Sequence, residues 1–159
     1  MTKRERVTPR SLTRAASRDN LPTSGSATYV IAGAPPVGTT DNQTPGSVDS
    51  GSLRVAFGAA PLVGVELGVR VAGNDYLVGS SGGIAAPSMA LNTTNMEFFG
   101  FSAVTGGTAS ACTAATCTGT INGFLAGNGA SHAGVAFTFG LGPGRSASAF
   151  GTVGFRRGP

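Results

Sequence analysis

The sequence predicts an all-β fold, an eight-stranded antiparallel up-and-down β-barrel. Three observations predict it: apolar residues recur at every second position, turn-forming residues separate the apolar segments at close intervals, and no segment has the apolar spacing of an amphipathic helix. A two-sheet sandwich fits the same signals and is kept as the alternative. We favour the barrel because it leaves no open sheet edge, which suits strands that carry few charged residues.

The composition is that of a folded domain with many turns. The chain has 159 residues, which is enough for one domain with a single core. It contains 26 glycines, 40% hydrophobic residues and only 11% charged residues. This balance excludes disorder of the highly charged kind, because there are enough apolar side chains to form a core.

The positive charge of the chain is confined to its start. Residues 1–20 contain six basic residues against Glu5 and Asp19, and the remainder carries five charges of each sign. The basic residues are Lys3, Arg4, Arg6, Arg10, Arg14 and Arg18. We therefore predict a flexible basic tail over 1–20, a barrel domain over 21–159 and no nucleic-acid-binding surface. No segment has the apolar run of a signal peptide or of a transmembrane helix, so neither is predicted.

The first three predicted strands are 26–33, 52–58 and 61–73. In the second, Leu53, Val55 and Phe57 occupy alternate positions. In the third, five apolar residues alternate with glycine and charged residues: Val63, Val65, Leu67, Val69 and Val71. Such a strand has one dry face and one wet face, as antiparallel sheets commonly do.

The other five predicted strands are 76–81, 96–104, 118–127, 133–140 and 149–157. The connecting segments, such as "AGND", "SSGGIAAPS" and "GNGAS", are rich in turn-forming residues. Four glycines fall on strand faces: Gly64, Gly68, Gly100 and Gly123. We expect these glycines at tight bends and close backbone approaches at barrel corners.

The stretch "GFLAGNGASHAG" contains His132, the only histidine of the chain. No carboxylate or cysteine lies near it in sequence, so a catalytic triad would need partners from elsewhere. We predict that His132 starts a strand, where it could hydrogen-bond across the hairpin. No catalytic, cofactor-binding or metal-binding residue is predicted, and the protein is predicted not to be an enzyme.

Two cysteines, Cys112 and Cys117, lie in a loop rich in Gly, Ser and Thr. They cannot complete a tetrahedral zinc site, and their spacing is not that of a redox motif. We predict that they form a disulfide, with two free surface thiols as the alternative. A disulfide would indicate an oxidising compartment such as the periplasm or the cell surface.

Ten aromatic residues are predicted to pack in the core. They are Tyr29, Phe57, Tyr76, Phe98, Phe99, Phe101, Phe124, Phe137, Phe139 and Phe155. A stacking platform for nucleic acid is the other interpretation, but the neutral body offers no basic groove beside it.

Several segments resemble the C-terminal β-barrel domain of transferrin-binding-protein-like bacterial proteins, a module that also occurs in FecR-domain-containing proteins. The resemblance covers residues 21–157 and includes "GVELGVRV", "TINGFLAGNGASHAGVAFTFG" and the closing "GTVGFRR". Its sharpest part is a hairpin pattern: Gly123, Phe124, Ala126, Gly127, Ala130, Gly134 and Phe137. These are residues that a barrel needs, with "NGAS" as the connection between two strands.

The resemblance implies a location in the bacterial cell envelope and a non-enzymatic role in binding. Relatives bind host iron or haem proteins through variable loops, so a host or envelope protein, or a haem-type ligand, is the expected partner. Two alternatives stay open: a structural barrel without a ligand, left from a larger regulatory or adhesin-like protein, and a lipocalin-like carrier of a small apolar molecule. We predict a monomer.

Overall fold

The structure, a computed structural model, describes residues 20–42, 45–106, 112, 117–142 and 147–159. Within these residues the chain is all-β. Its strands are β1 (Ser26–Gly33), β2 (Gly38–Thr39), β3 (Ser47–Ala56), β4 (Leu62–Val71), β5 (Asn74–Ser80), β6 (Met89–Asn92), β7 (Glu97–Gly106), β8 (Gly119–Ala126), β9 (His132–Gly140) and β10 (Ser148–Arg157). The predicted tail, apart from Asn20, lies outside the described residues.

Eight of these strands close into an antiparallel barrel. The order around the sheet is β1, β3, β4, β5, β7, β8, β9 and β10, and β1 pairs with both β3 and β10. Because the first and last strands of the barrel pair, its sheet has no open edge. The predicted eight-stranded antiparallel barrel is confirmed, and the sandwich alternative is wrong.

Two short strands lie outside this path, and the sequence does not predict either of them. The two residues of β2 pair with the start of β10, and β6 pairs with β4 and β7. The two residues of β2 are too few to show a period of two, and the four residues of β6 alternate between buried and exposed only over a single short segment. The polar first half of β3 also escapes prediction, because it contains an irregularity between Val48 and Ser50.

The barrel interior is filled by side chains. Every alternate residue of β4 from Val63 to Val71 is buried, as the sequence predicts. Tyr76 packs against Phe139, with ring centroids 5.1 Å apart, and Phe137 lies beside Phe139 at 6.2 Å. The interior of the described barrel is therefore a close-packed core.

The four face glycines lie within strands and provide close approaches. Gly123 lies beneath the ring of Phe98, and Gly100 lies beneath Met89, where an added Cβ would come within 2.7 Å of the methionine. Gly64 faces outward against the backbone of Gly83. These glycines make room for a neighbouring side chain or segment, and Gly64 provides the close backbone approach that was expected.

Candidate functional site

Four phenylalanine side chains point outward on one side of the barrel. The exposed fraction of the residue is 58% for Phe99 and 74% for Phe101 on β7, 52% for Phe124 on β8 and 49% for Phe150 on β10. Their strand neighbours, such as Phe98 and Leu125, point inward and are buried. We call the outward surface of β7 to β10 that carries these four rings the outer aromatic face. Contiguous exposed apolar surface of this kind typically marks a binding site.

The strand register places the outward residues of this face in three rows. From β7 to β10 the rows are Glu97, Phe124, Gly134 and Gly154; Phe99, Asn122, Ala136 and Thr152; and Phe101, Thr120, Thr138 and Phe150. In the first two rows, large rings therefore stand on β7 or β8, while the smaller Gly134, Ala136, Thr152 and Gly154 lie on β9 and β10 beside them.

This difference in side-chain size produces a groove. Its volume is about 810 Å³, its floor includes Gly134, Ala136 and Gly154, and Phe99 and Phe124 stand along one side. A smaller depression of about 360 Å³ continues from Ala136 toward Phe150. The volume of the main groove is within the range typical of ligand sites.

The rings are held in place by glycines beneath them. A Cβ at Gly134 would lie 2.7 Å from the ring of Phe124, and one at Gly38 would lie 2.6 Å from the ring of Phe150. Phe99 and Phe101 pack edge to face, with ring centroids 5.7 Å apart. Because these contacts limit the rotation of the rings, a partner would lose little side-chain entropy on binding them.

Few polar groups accompany the rings. Asn122 and Thr152 are exposed on either side of Ala136. At one end of the groove, Asn95 Nδ2 donates to Glu97 Oε2 over 2.7 Å. Glu97 is the one ionisable side chain among the described residues that line the groove. An apolar surface with a few amide, hydroxyl and carboxylate groups is suited to binding, and it offers no nucleophile paired with a base.

The predicted hairpin pattern contributes to both faces of the sheet. Gly123 and Phe137 face the interior, Phe124 and Gly134 form the groove, and Gly127 and Ala130 lie in the turn with positive φ. Ala130 is fully buried, and its carbonyl accepts a hydrogen bond from the hydroxyl of Tyr29 at 2.6 Å. This hydrogen bond joins the turn between β8 and β9 to β1, near the start of the described chain.

His132 is the first residue of β9, as the sequence predicts. Its Nδ1 lies 2.9 Å from Ser131 Oγ, and Arg156 is its partner across the sheet. No described carboxylate contacts this histidine. The arrangement therefore supplies no third member of a triad.

Cys112 and Cys117 are joined by a disulfide, with their Cα atoms 5.3 Å apart. Cys117 is buried and Cys112 packs against the core, although most of the surrounding loop is outside the described residues. Elsewhere in the described chain, no group of three or more His, Cys, Asp or Glu residues could hold a metal ion. None of the described segments is a helix long and apolar enough to span a membrane.

The outer aromatic face corrects one expectation from the sequence. Seven of the ten aromatic residues predicted for the core are buried, but Phe99, Phe101 and Phe124 are exposed. A signal for this was present, because Phe99 and Phe101 share a strand face with Glu97, and Phe124 shares one with Asn122. The fourth ring, Phe150, was not among those predicted.

Comparison with known proteins supports the fold. No protein-family model matches the chain, and no curated protein matches it significantly. Among solved structures, the chain is similar to the vaccine antigen Transferrin Binding Protein B from Haemophilus parasuis Hp5, in a double mutant with a tyrosine and a tryptophan replaced by alanine. The TM-score is 0.56 at 14% identity, over 90% of this chain and 28% of that protein. The likeness shows a shared barrel fold, and the chain spans little more than a quarter of that protein's length. None of the comparisons supports the expected relation to FecR-domain-containing proteins.

Proposed function

We propose that this protein is a non-enzymatic surface module of the bacterial cell envelope that binds another protein through its outer aromatic face. The observation that carries this proposal is the set of four exposed phenylalanine rings on one nearly uncharged face. Aromatic side chains are enriched at the centres of protein interfaces, where charged residues are depleted. The fold shared with Transferrin Binding Protein B supports a role in binding.

The exposed rings of the outer aromatic face offer apolar surface for a partner to cover. Full burial of a phenylalanine is worth about 1.5–3 kcal/mol, so covering each half-exposed ring would contribute roughly 1 kcal/mol. The glycines beneath Phe124 and Phe150 set the ring positions before a partner arrives. The proposal therefore moves the contact from variable loops to β7–β10.

Closure of the barrel determines how a partner would bind. Each barrel strand already pairs with a neighbour on both sides, so a partner cannot add a strand along β7–β10. Affinity would come from side chains placed in the groove and over the rings. Asn122 and Thr152 offer polar groups to a backbone that crosses Ala136.

We further propose that the protein takes part in iron or haem acquisition and that its partner is an iron-carrying host protein. A protein is favoured over free haem, because no described residue that lines the groove is a His, Cys, Met or Tyr able to ligate haem iron. A cell-surface or periplasmic location agrees with the disulfide, which persists in oxidising compartments.

The same observations weigh against the two alternative functions. A lipocalin-like carrier needs space inside the barrel, and the described interior is packed with side chains such as Tyr29 and Phe137. A structural barrel without a ligand would leave the four exposed rings without a role. The binding test below distinguishes it from the proposal.

The test is a binding screen of the oxidised full chain against transferrin-type and haemoglobin-type proteins, with haem as a further probe. Phe99→Ala and Phe124→Ala should each weaken binding by about 5- to 30-fold, the effect of removing an interface anchor worth about 1–2 kcal/mol. Leu77→Ala is the matched control, because Leu77 is 50% exposed on β5, outside the proposed face. Equal losses in all three variants, or no binding to any partner, would contradict the proposal.

A further inference from the structure

We propose that Glu97 and the two rings beside it bind a basic side chain of the partner protein, namely an arginine. This inference rests on the proposed function, because it takes the outer aromatic face to be the surface that the partner contacts. It goes further by naming the chemistry that the partner presents there. We call Glu97, Phe99 and Phe124 together the cation site.

The strand register places Glu97 beside both rings of the cation site. Glu97 lies directly opposite Phe124 in the pairing of β7 with β8, and Phe99 follows two positions later on the same strand face. Directly opposite residues have Cβ atoms about 4.5–5.5 Å apart, and same-face neighbours on one strand are about 6.5–7 Å apart. A cation bound at this carboxylate is therefore within reach of both rings.

Asn95 holds the carboxylate in position. Its Nδ2 donates to Glu97 Oε2 over 2.7 Å, and its Oδ1 accepts a hydrogen bond from Glu97 N at 3.2 Å. One amide thus orients both the side chain and the backbone of Glu97. A neutral amide leaves the charge in place, and no described residue donates to Glu97 Oε1. The second oxygen remains an acceptor for a partner.

The turn that carries Glu97 is also fixed. Met96, between β6 and β7, has a φ of 61°, and its side chain is buried. Its N donates to Asn92 O over 2.8 Å, and its carbonyl accepts a hydrogen bond from Leu125 N at 2.9 Å. A residue other than glycine keeps this left-handed conformation only where its surroundings hold it. The carboxylate is therefore positioned before a partner arrives, which lowers the entropy lost on binding.

The charge of Glu97 differs from that of the other acidic residues in its lack of compensation. Asp75 and Asp49 are paired with Arg70, at 2.7 and 3.7 Å. Glu66 accepts a hydrogen bond from the backbone of the loop after β5. Glu97 is exposed and forms no salt bridge with any described residue. A single negative charge in an otherwise apolar groove is complementary to a single positive charge.

Basic residues on the same side of the barrel do not pair with Glu97. His132 and Arg156 are exposed on β9 and β10, two and three strands from β7. Neighbouring strands are about 4.8 Å apart, so these backbones are roughly 10 and 14 Å away across the sheet. The described lining of the groove contains no lysine, arginine or histidine. The cation must therefore come from the partner.

An arginine fits the cation site better than a lysine or a metal ion. Its guanidinium is planar and weakly hydrated, so it can stack on an aromatic ring while its N–H groups donate to a carboxylate. The ammonium of lysine is more strongly hydrated and loses more on leaving water. A metal ion such as Ca²⁺ takes about six to eight oxygen ligands, and the described groove lining has one carboxylate.

The first part of the test selects short peptides from a random displayed library for binding to the oxidised full chain. We expect the selected peptides to be enriched in arginine relative to the unselected library. Their binding should be weakened by Phe124→Ala, which removes a ring of the cation site. The same selection on Glu97→Gln should give no enrichment in arginine. The tightest peptide selected on wild type is the probe for the second part.

The second part is a double-mutant cycle. Glu97→Gln should lower the affinity for this peptide about fivefold, and so should replacement of the peptide's arginine by citrulline, which removes the charge but keeps the shape. The two changes together should cost little more than either alone, because each removes the same contact. Added salt should weaken binding to wild type more than binding to Glu97→Gln.

Glu66→Gln is the matched control, because it makes the same change of side chain and of net charge on β4, outside the groove. It should leave the affinity unchanged, and a loss equal to that of Glu97→Gln would overturn the inference. Peptides that need Phe124 but bind wild type and Glu97→Gln equally, or effects of Glu97→Gln and citrulline that add, would overturn it and leave the proposed function standing. If no selected peptide depends on Phe99 or Phe124, or none binds, the proposed function fails and this inference fails with it.

Discussion

Tyr29 connects β1 to the turn between β8 and β9 by a hydrogen bond that spans most of the chain. Its side chain is fully buried, and its hydroxyl donates to the carbonyl of Ala130. Tyr29→Phe would leave that buried carbonyl without this donor. We expect the free energy of unfolding to fall by about 1–3 kcal/mol, the cost of an unsatisfied buried acceptor. Urea unfolding of both proteins measures it, and an unchanged midpoint would contradict the expectation.

The same tyrosine should make stability depend on pH in the alkaline range. Burial raises the pKa of Tyr29, and the nearby Arg157 lowers it by a smaller amount. The folded state therefore keeps the proton at pH values where the unfolded chain, with a tyrosine pKa of about 10, has lost it. The stabilisation is complete below pH 10 and is lost as pH rises through the folded-state pKa. Wild type should lose more stability than Tyr29→Phe between about pH 9 and 11, and parallel curves would argue against this role.

Single residues also show how far the sequence predicts the site. The alternation in β4 predicts the five interior residues from Val63 to Val71, because one face of that strand is uniformly apolar. Phe99 and Phe101 are exceptions to the rule that apolar strand residues face the core, because both point outward. The outward orientation of such a phenylalanine can be predicted only from the polar residues on the same strand face, such as Glu97, because its own hydrophobicity predicts burial.

At the scale of single strands, the contrast between Gly119 and Gly154 tests the close packing of β8 against β9. A Cβ at Gly119 would collide with the backbone carbonyl of Thr138, whereas at Gly154 the nearest atom, Gly33 O, is 3.6 Å away. Gly119→Ala should therefore destabilise the protein by about 1–3 kcal/mol or more. Gly154→Ala should be neutral or stabilise by up to about 1 kcal/mol, because alanine restricts the unfolded chain.

Chemical denaturation of wild type and of the two glycine variants measures this difference in stability. Similar midpoints for both variants would mean that β8 can move away from Thr138 at little cost. The difference between the variants is the informative quantity, because both replace a strand glycine by the same residue.

The pairing between strands explains why the groove was not predicted. The period of two and the turn residues predict eight strands, because each signal is local. The groove depends on the register, which sets Phe124 against Gly134 and Asn122 against Ala136 and Thr152. These residues are up to 30 positions apart, and the sequence pattern does not indicate which residues face one another. The short strand β2 was missed for the related reason that its partner, β10, is distant in sequence.

For the molecule as a whole, the disulfide stabilises the fold mainly by lowering the conformational entropy of the unfolded chain. The bond between Cys112 and Cys117 closes a loop with a sequence separation of 5. A loop of this size corresponds to about 2 kcal/mol of stabilisation in the chain-entropy model. Reduction should therefore lower the melting temperature by roughly 4–8 °C for a protein of this length.

Calorimetry with and without a reductant measures the effect of the disulfide. The double variant Cys112→Ser with Cys117→Ser should melt at the temperature of the reduced protein and should not respond to the reductant. A response of that variant would mean that the reductant acts by another route.

The two chain ends of the described barrel lie side by side, at Thr28 and Gly158, which are joined by a backbone hydrogen bond. A domain whose two ends are close together can be inserted into a loop of another protein without separating the two sides of that loop. The barrel is thus compatible with insertion as a cassette into a surface loop of a host protein, with both junctions on one side. The exposed phenylalanine rings on β7–β10 lie along the barrel wall, and Phe150 lies toward the end opposite to the junctions, so the wall would stay open to a third molecule.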